Sequence, residues 1–379
     1  MVRVSLVEVK EIETAVEEAI SLLGGIDRFV KRGDRVLIKV NMFIQEKFTS
    51  GKITDPRLVI ILAKMFKQRG AKVTVGERTK NIYLNFEEFP EIKEYAEVVS
   101  FDDLPHNHLR LENARALRIP IAIPRLVEEC DVFVNVPGLR THALTLISNA
   151  MKNLMGILPG EIPLYAHLCG LESSIVDLNV YRSSHLIISD AIYSVQGNFP
   201  TEGESILSNF ILAGDNVVAV DAIAATILGF SPSEVEHLKE AEERGLGPLK
   251  REEIELKGVP LEKVLTRIKF LPPALDYENF REKFYFLDGN ACAPCKRALA
   301  GGIATLSKHP EFRDWKNLTI VVGPQEKIPV VPTSQALLFG NCTYKYRKMG
   351  KQVPGCPPLA SQAYQAILSI FSSQSGSKT

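Results

Sequence analysis

Short apolar runs alternate with segments of helical period along most of this chain, and that alternation constrains its architecture more than any other feature. Residues 2–9 alternate as a strand does; Ile12, Val16, Ile20 and Leu23 then recur at helical spacing until Gly24-Gly25 ends the pattern. The run 35–41 is apolar and ends in polar groups. Thr54-Asp55-Pro56 sets a capping side chain ahead of a first-turn proline, and Arg69-Gly70 closes the helix so begun. Further strands are expected at 72–75, 97–100, 131–136, 185–189 and 209–213. Helices are expected from about 143 to 158 and over 217–228, the second stopped by Gly229. Strands separated by helices predict an α/β fold: a doubly wound, mostly parallel sheet covered on both faces.

At 379 residues the chain exceeds one ordinary core. The reading is a large α/β domain over 1–258 carrying a ligand crevice, with a charged helical stretch and an edge strand at 254–256 near its end. A linker over 259–280 follows, centred on Leu271-Pro-Pro-Ala-Leu275. A second, smaller α/β cysteine-bearing domain covers 281–373, with strands at 283–287, 318–322 and 336–339 and helices at 295–308 and 359–371. A disordered tail is expected at 374–379.

Forty-five basic side chains balance forty-five acidic ones, so no overall field draws the chain to nucleic acid or to an anionic membrane, and neither is expected as a partner. No apolar stretch reaches the length of a membrane span and no cleavable leader pattern opens the sequence, which together predict a cytoplasmic protein. Six cysteines are too sparse for a secreted disulfide framework, so clustered thiols point to metal binding or catalysis.

Four of the six form the pattern. Cys292 and Cys295 follow the first strand of the small domain at the entry to its helix, Cys342 follows a later strand, and Cys356 precedes the last helix. Loops at the carboxyl ends of parallel strands converge, so three loops deliver four thiolates to one point. Helix N-termini at Cys295 and Cys356 favour the thiolate form, while Pro294, Pro357 and Pro358 stiffen the loops. Four thiolates suit a [4Fe–4S] cluster. Tetrahedral zinc accepts the same donors, although zinc sites more often pair two tight C-x2-4-C knuckles. Unmetallated thiols and a thioredoxin-like dithiol are further readings. Cys130 and Cys169, lacking close partners in sequence, read as buried small apolar residues.

Polar groups also gather at the expected strand ends of the large domain. Lys39 and Asn41 end one strand; Arg140, Thr141 and His142 follow another; Lys152 and Asn153 lie in the next helix; Asp190 ends a third strand, and Asp215 stands as a potential cap before the Ala-rich helix. Cations dominate near His142, which predicts a small anionic ligand. Lys39, His142 and Lys152 are the candidate catalytic residues, His142 as a proton shuttle near neutral pH with Asp190 as its orienter or as a second acid–base group. Asn41, Arg140, Thr141, Asn153 and Asp190 are the candidate binding residues. Gly197 and Gly203 flank a loop at 198–202 expected to be mobile over this edge. Neither G-x-G-x-x-G after the first strand, a Walker A sequence nor a G-x-S-x-G elbow is present.

The run D-V-F-V-N-V-P-G-L-R-T-H-A-L-T-L-I-S-N-A-M-K-N-L-M-G-I-L-P-G at 131–160 resembles the family called domain of unknown function 362. So do V-L-I-K-V-N at 36–41 followed by T-D-P at 54–56, I-S-D-A-I at 188–192, and the D-x-V-x-A-x-D element at 215–221. The likeness spans about 1–258, and the family's frequent iron–sulfur modules agree with the cysteine pattern. The family usually has lysine where Arg140 stands, and arginine does not serve as a proton acceptor. The segment V-P-G-C-P-P at 353–358 is similar to the proline-rich cysteine loop of cluster-bearing subunits of respiratory NADH–quinone oxidoreductases and of nickel–iron hydrogenases, without the adjacent-cysteine element of the respiratory ones. The expectation is an iron–sulfur redox protein, an oxidoreductase exchanging electrons with a small anionic molecule and an electron-transfer protein. The alternative is a non-redox ligand-binding or scaffold protein with a structural zinc.

Overall fold

The structure is a computed structural model, which describes residues 1–200 and 202–375. Strand β1 (Val2–Glu8) leads into a helix over Ile12–Leu22 that buries Ala15, Val16, Ala19 and Ile20, the face its spacing predicts. Strand β2 (Arg35–Lys39), a helix over Pro56–Gln68, and strands β3 (Lys72–Glu77) and β4 (Glu97–Ser100) follow. Asp55 caps the second helix by accepting the Arg57 N–H at 2.9 Å. Strands β5 (His106–Leu109) and β6 (Ile121–Pro124) pair apart as an antiparallel ribbon. The main sheet resumes with β7 (Val132–Asn135), β8 (Gly138–His142), β9 (Leu146–Ser148), β10 (Leu186–Asn198), β11 (Glu202–Gly214) and β12 (Ile254–Gly258).

Among the described residues the order is β12-β1-β11-β10-β7-β2-β3-β4, with β8 and β9 branching from β10. Strands β10, β7, β2, β3 and β4 are parallel, and β12 is parallel to β1; β11 runs antiparallel to both its neighbours. Val36 and Ile38 enter one apolar core and Leu37 the other, so the sheet is covered on both faces. The fold is the doubly wound, mostly parallel α/β class read from the sequence.

A separate parallel sheet follows, β13 (Tyr285–Asp288), β14 (Thr319–Val322), β15 (Ala336–Phe339) and β16 (Lys351–Val353), in that order. Its helices Ala293–Leu306 and Ala360–Ser375 pack into the same apolar cluster that holds Leu144, Met151 and Leu171 of the large unit. The two sheets therefore share one core, which fixes the loops at their edges against each other.

Several local expectations are corrected. The helix expected over about 143–158 opens instead as the hairpin β8–β9. Strand β8 pairs with β10, and the Asp221 carboxylate accepts the Ala150 and Met151 N–H groups, both at 2.9 Å, so helix begins only at Ala150–Asn153. Unassigned residues beyond it form helices Ile162–Cys169 and Leu171–Tyr181. The runs at 185–189 and 209–213 are parts of two long strands. Their turn falls where a mobile loop is expected; Phe199 is buried there and Thr201 lies outside the described residues. Asn216, not Asp215, caps the Ala-rich helix, and Asp215 pairs with Arg28.

The expected linker contains a helix, Leu261–Arg267, that buries Leu261 and Val264. Beyond it the Pro-Pro segment is strapped to β10: the Gly197 N–H donates to the Leu271 carbonyl at 3.0 Å, and Leu271 N–H to Gln196 Oε1 at 3.0 Å. The tail expected at 374–379 starts as helix, since Ala360–Ser375 continues past its buried Ile367, Ile370 and Phe371; residues 376–379 lie outside the described ones.

Candidate functional site

Parallel register sets Lys39, at the carboxyl end of β2, opposite Gly76 on one side and Asn135 on the other. Its ammonium group is buried, 3.1 Å from Glu77 Oε2, and donates to the Val40 carbonyl at 2.5 Å and toward Asn153 Oδ1 at 3.4 Å. Desolvation pulls the Lys39 pKa down while Glu77 opposes it. Glu77 also accepts the Met42 N–H at 2.9 Å and the Arg78 N–H at 2.6 Å. A side chain at Gly156 would meet the Lys39 ammonium at 2.5 Å and Glu77 Oε1 at 2.7 Å, so only glycine closes the helix over this pair. Lys39 thus lies beneath the site wall with its charge matched. Lys39, expected among the catalytic residues, is paired with Glu77 and does not line the cavity.

Above the pair is a cavity of about 280 Å3. Asn41, Arg140, His142, Lys152 and Asn153 line it, and Thr141 and Asp190 do not. Alternation along β8 explains Thr141, whose hydroxyl donates to the Gly197 carbonyl at 2.8 Å on the opposite side. Asp190 turns to the N-terminus of Pro56–Gln68, accepting the Asp55 N–H at 2.7 Å, and is pushed up to about 7 by burial and by Asp55.

Arg140 is buried. Its Nε donates to the Gly51 carbonyl and its Nη1 to Asn41 Oδ1, both at 2.7 Å; Nη2 has no partner, and the guanidinium lies 5.0 Å from the Phe199 ring centre. A Cβ at Gly138 would fall 2.4 Å from that free Nη2. Burial lowers Arg140 to about 10, which leaves it charged at neutral pH.

His142 Nδ1 accepts the Leu144 N–H at 3.1 Å and the Thr145 N–H at 3.3 Å, which assigns the ring proton to Nε2. Burial, then Lys152, holds its pKa well below 6.5. The imidazole is a neutral N–H donor at pH 7. Asp190, expected as its orienter, instead accepts the Asp55 and Ile192 N–H groups, and the Nδ1 of the ring is held by backbone N–H groups.

Lys152 makes no hydrogen bond or ion pair among the described residues and is lowered to about 8 by burial and by Arg140. With Lys39 and Glu77 cancelling, the wall is cationic, as the sequence predicts. Glu77, Arg78, His167 and Phe199 line it too and were not read from the sequence. Glu77 was legible as the acid ending β3; His167 lies in a helix that went unassigned.

The thiols gather on the far side of this wall. Cys292 is the N-cap of Ala293–Leu306 and Cys295 lies in its first turn, buried. Cys342 follows β15 and Cys356 follows β16. The Cys292 and Cys295 side chains are hydrogen-bonded, which holds the Cys292 thiol down at about 6 and drives Cys295 up. Cys295 also feels Cys356 and Cys342, and a Cβ at Gly340 would lie 3.5 Å from its Sγ. Burial raises Cys356, which feels Cys292, Cys342 and also Cys169, so Cys169 is a neighbour of the group and not the isolated apolar residue expected. Among the described residues no three His, Cys, Asp or Glu side chains form a ready-made metal site. Mutual electrostatic reach is a looser condition than coordination, and only the looser one is met. Four soft sulfur donors at one corner are nonetheless the donor set of an iron–sulfur cluster or of zinc.

Corner and cavity adjoin. The Cys356 N–H donates to the His167 carbonyl at 2.8 Å and the Leu171 N–H to the Cys356 carbonyl at 2.9 Å; His167 and Leu171 both line the cavity. Arg297, two residues after Cys295, donates to the Leu144 carbonyl from Nε at 3.1 Å and Nη2 at 2.5 Å.

Comparison with known proteins adds a relative and a family. The chain is 27% identical over 295 residues to the thylakoid-associated protein sll1697 of Synechocystis sp., a match covering 69% of this chain and 87% of that protein. A solved structure, the lactate racemase apoprotein from Thermoanaerobacterium thermosaccharolyticum, aligns with 98% of this chain and 80% of its own at 14% identity and a TM-score of 0.41, a likeness too loose to inform the chemistry. No helix among the described residues is long and apolar enough to cross a membrane. Residues 36–226, more than half of the chain, match the family described as Domain of unknown function (DUF362), and the chain belongs to that family.

Proposed function

We propose that the chain binds a small anionic molecule in the cavity and holds an iron–sulfur centre, [4Fe–4S], beside it on Cys292, Cys295, Cys342 and Cys356. The observation that carries this reading is the Cys356 backbone, hydrogen-bonded on both sides to residues of the cavity wall. When bound, such a cluster supplies one-electron exchange. The chain's own residues do the rest. Arg140 and Lys152 attract the anion, and Asn41 and Asn153 hold the floor of the cavity in place. The apolar wall of Leu144, Met155 and Phe199 excludes water and strengthens the charge interactions inside. An electron-transfer protein reaches the centre through Cys292 and Cys342, the exposed pair.

Anaerobic purification with iron and sulfide analysis and electron paramagnetic resonance tests the reading. About four irons and four sulfides per chain, with a paramagnetic signal on reduction, are expected. One zinc without iron after anaerobic preparation would instead favour a structural metal beside a binding cavity.

A further inference from the structure

Three unsatisfied groups face the same cavity with different chemistry: a guanidinium nitrogen without a partner, a neutral imidazole N–H, and an amine without a partner. We propose that Lys152 condenses with the carbonyl carbon of a small 2-oxo acid whose carboxylate is held by Arg140. This deepens, and rests on, the reading of the cavity as an anion site.

Each group has a distinct task. Arg140 is anchored through two of its nitrogens, so Nη2 is a fixed donor for one carboxylate oxygen and loses little freedom on binding. His142 donates from Nε2 to the carbonyl oxygen; being neutral, it polarises that bond without adding a third positive charge. Lys152 is the nucleophile. A desolvated amine beside another cation is the arrangement that frees a lysine for attack on carbonyls, and Lys152 lies beside Arg140. At about 8, roughly one Lys152 in ten is uncharged at pH 7. Lys39, the other buried lysine at this edge, is excluded by its pairing with Glu77.

The step balances without a further reactant. The amine lone pair forms a C–N bond as the C=O π bond breaks, and the proton released from nitrogen moves to the oxygen. The proton that the ammonium gave up before attack then returns to the hydroxyl, which leaves as water while the C=N bond forms, so ammonium plus ketone gives iminium plus water. The cavity fits the remainder of such a molecule. Phe43, Leu144, Met155, Leu171, Phe199 and Leu359 supply an apolar wall, and about 280 Å3 is just below the roughly 300–1,000 Å3 usual for small-molecule sites, so only a small ligand fits. The ligand class is therefore a 2-oxo acid with a compact apolar side chain.

Incubating the full chain with phenylpyruvate and sodium cyanoborohydride tests this by intact mass and peptide mapping. One reduced phenylpyruvate per chain, on Lys152, is expected. Lys152→Arg, which keeps the cation, should abolish labelling yet still show a thermal shift with phenylpyruvate. Arg140→Met should raise the half-saturating concentration for labelling roughly a hundredfold. A wild-type chain that shifts with phenylpyruvate but takes no label overturns the imine while leaving the anion site standing. Label spread over surface lysines and unchanged in Lys152→Arg also overturns it. Absence of any shift with phenylpyruvate and with phenylacetate overturns the anion site and the imine together.

Discussion

The floor of the cavity and the cysteine corner are both polar, both sit at the carboxyl ends of parallel strands, and are built on opposite principles. Around Lys39 every strong donor has its acceptor: Glu77, the Val40 carbonyl and Asn153 answer the ammonium, and Asn135 and Asn41 close the network. In the corner the strong groups are sulfurs: Cys295 favours the Cys292 thiolate through a hydrogen bond, and Cys292 in turn opposes ionisation of Cys295 and Cys356. The first is complete as folded. In the second, one ionised sulfur disfavours ionisation of its neighbours, an opposition that the proposed metal centre would relieve.

The contrast is sharpest in response to losing one charge. Lys39→Met leaves Glu77 buried without a counter-charge and should cost about 3–5 kcal/mol in urea unfolding, with Lys39→Met/Glu77→Leu recovering most of it. If the single and double variants are equally unstable, the floor is not held by that pair. Next in size is the tie between the regions. Arg297→Met strips two donors from the Leu144 carbonyl and should cost about 2 kcal/mol. It should also weaken anion affinity measured by calorimetry, since Leu144 carries one of the N–H groups that fix His142. Unchanged affinity would show that the two regions act separately.

The smallest effect is one of pH. His142 titrates well below 6.5 when folded, so the unfolded chain takes up the proton first and stability is lost as pH falls through 6.5. Its share of that loss between pH 6.5 and 5.5 should be about 1 kcal/mol. His142→Asn, whose amide oxygen replaces Nδ1 as acceptor, should flatten the acid limb by that amount. An unaltered slope would mean the ring charges without penalty and the wall is wetter than its burial implies.

Much of the main sheet was legible because its signals are local: apolar runs, the Asp55-Pro56 start, and glycines after helices. The hairpin at 138–148 was not, because what ends the helical pattern there is Asp221, seventy residues away, holding the Ala150 and Met151 N–H groups. The candidate site divides the same way. Arg140 and Lys152 were found because residues at strand ends converge at one edge. That Lys39, the third cation at this edge, is already paired depends on Glu77, and pairing between neighbouring strands is not written in either strand alone. His167 and Cys169 were out of reach once their helix was missed, since no position on the site's border could then be given to them.

The Cys356 amide and carbonyl are each bonded to the cavity's lining, so the backbone of one compartment is tied directly to that of the other. Thermodynamic reciprocity then requires that whatever an occupant of one compartment does to affinity in the other is returned in equal measure. On the proposed reading, filling either place would therefore be felt at the other.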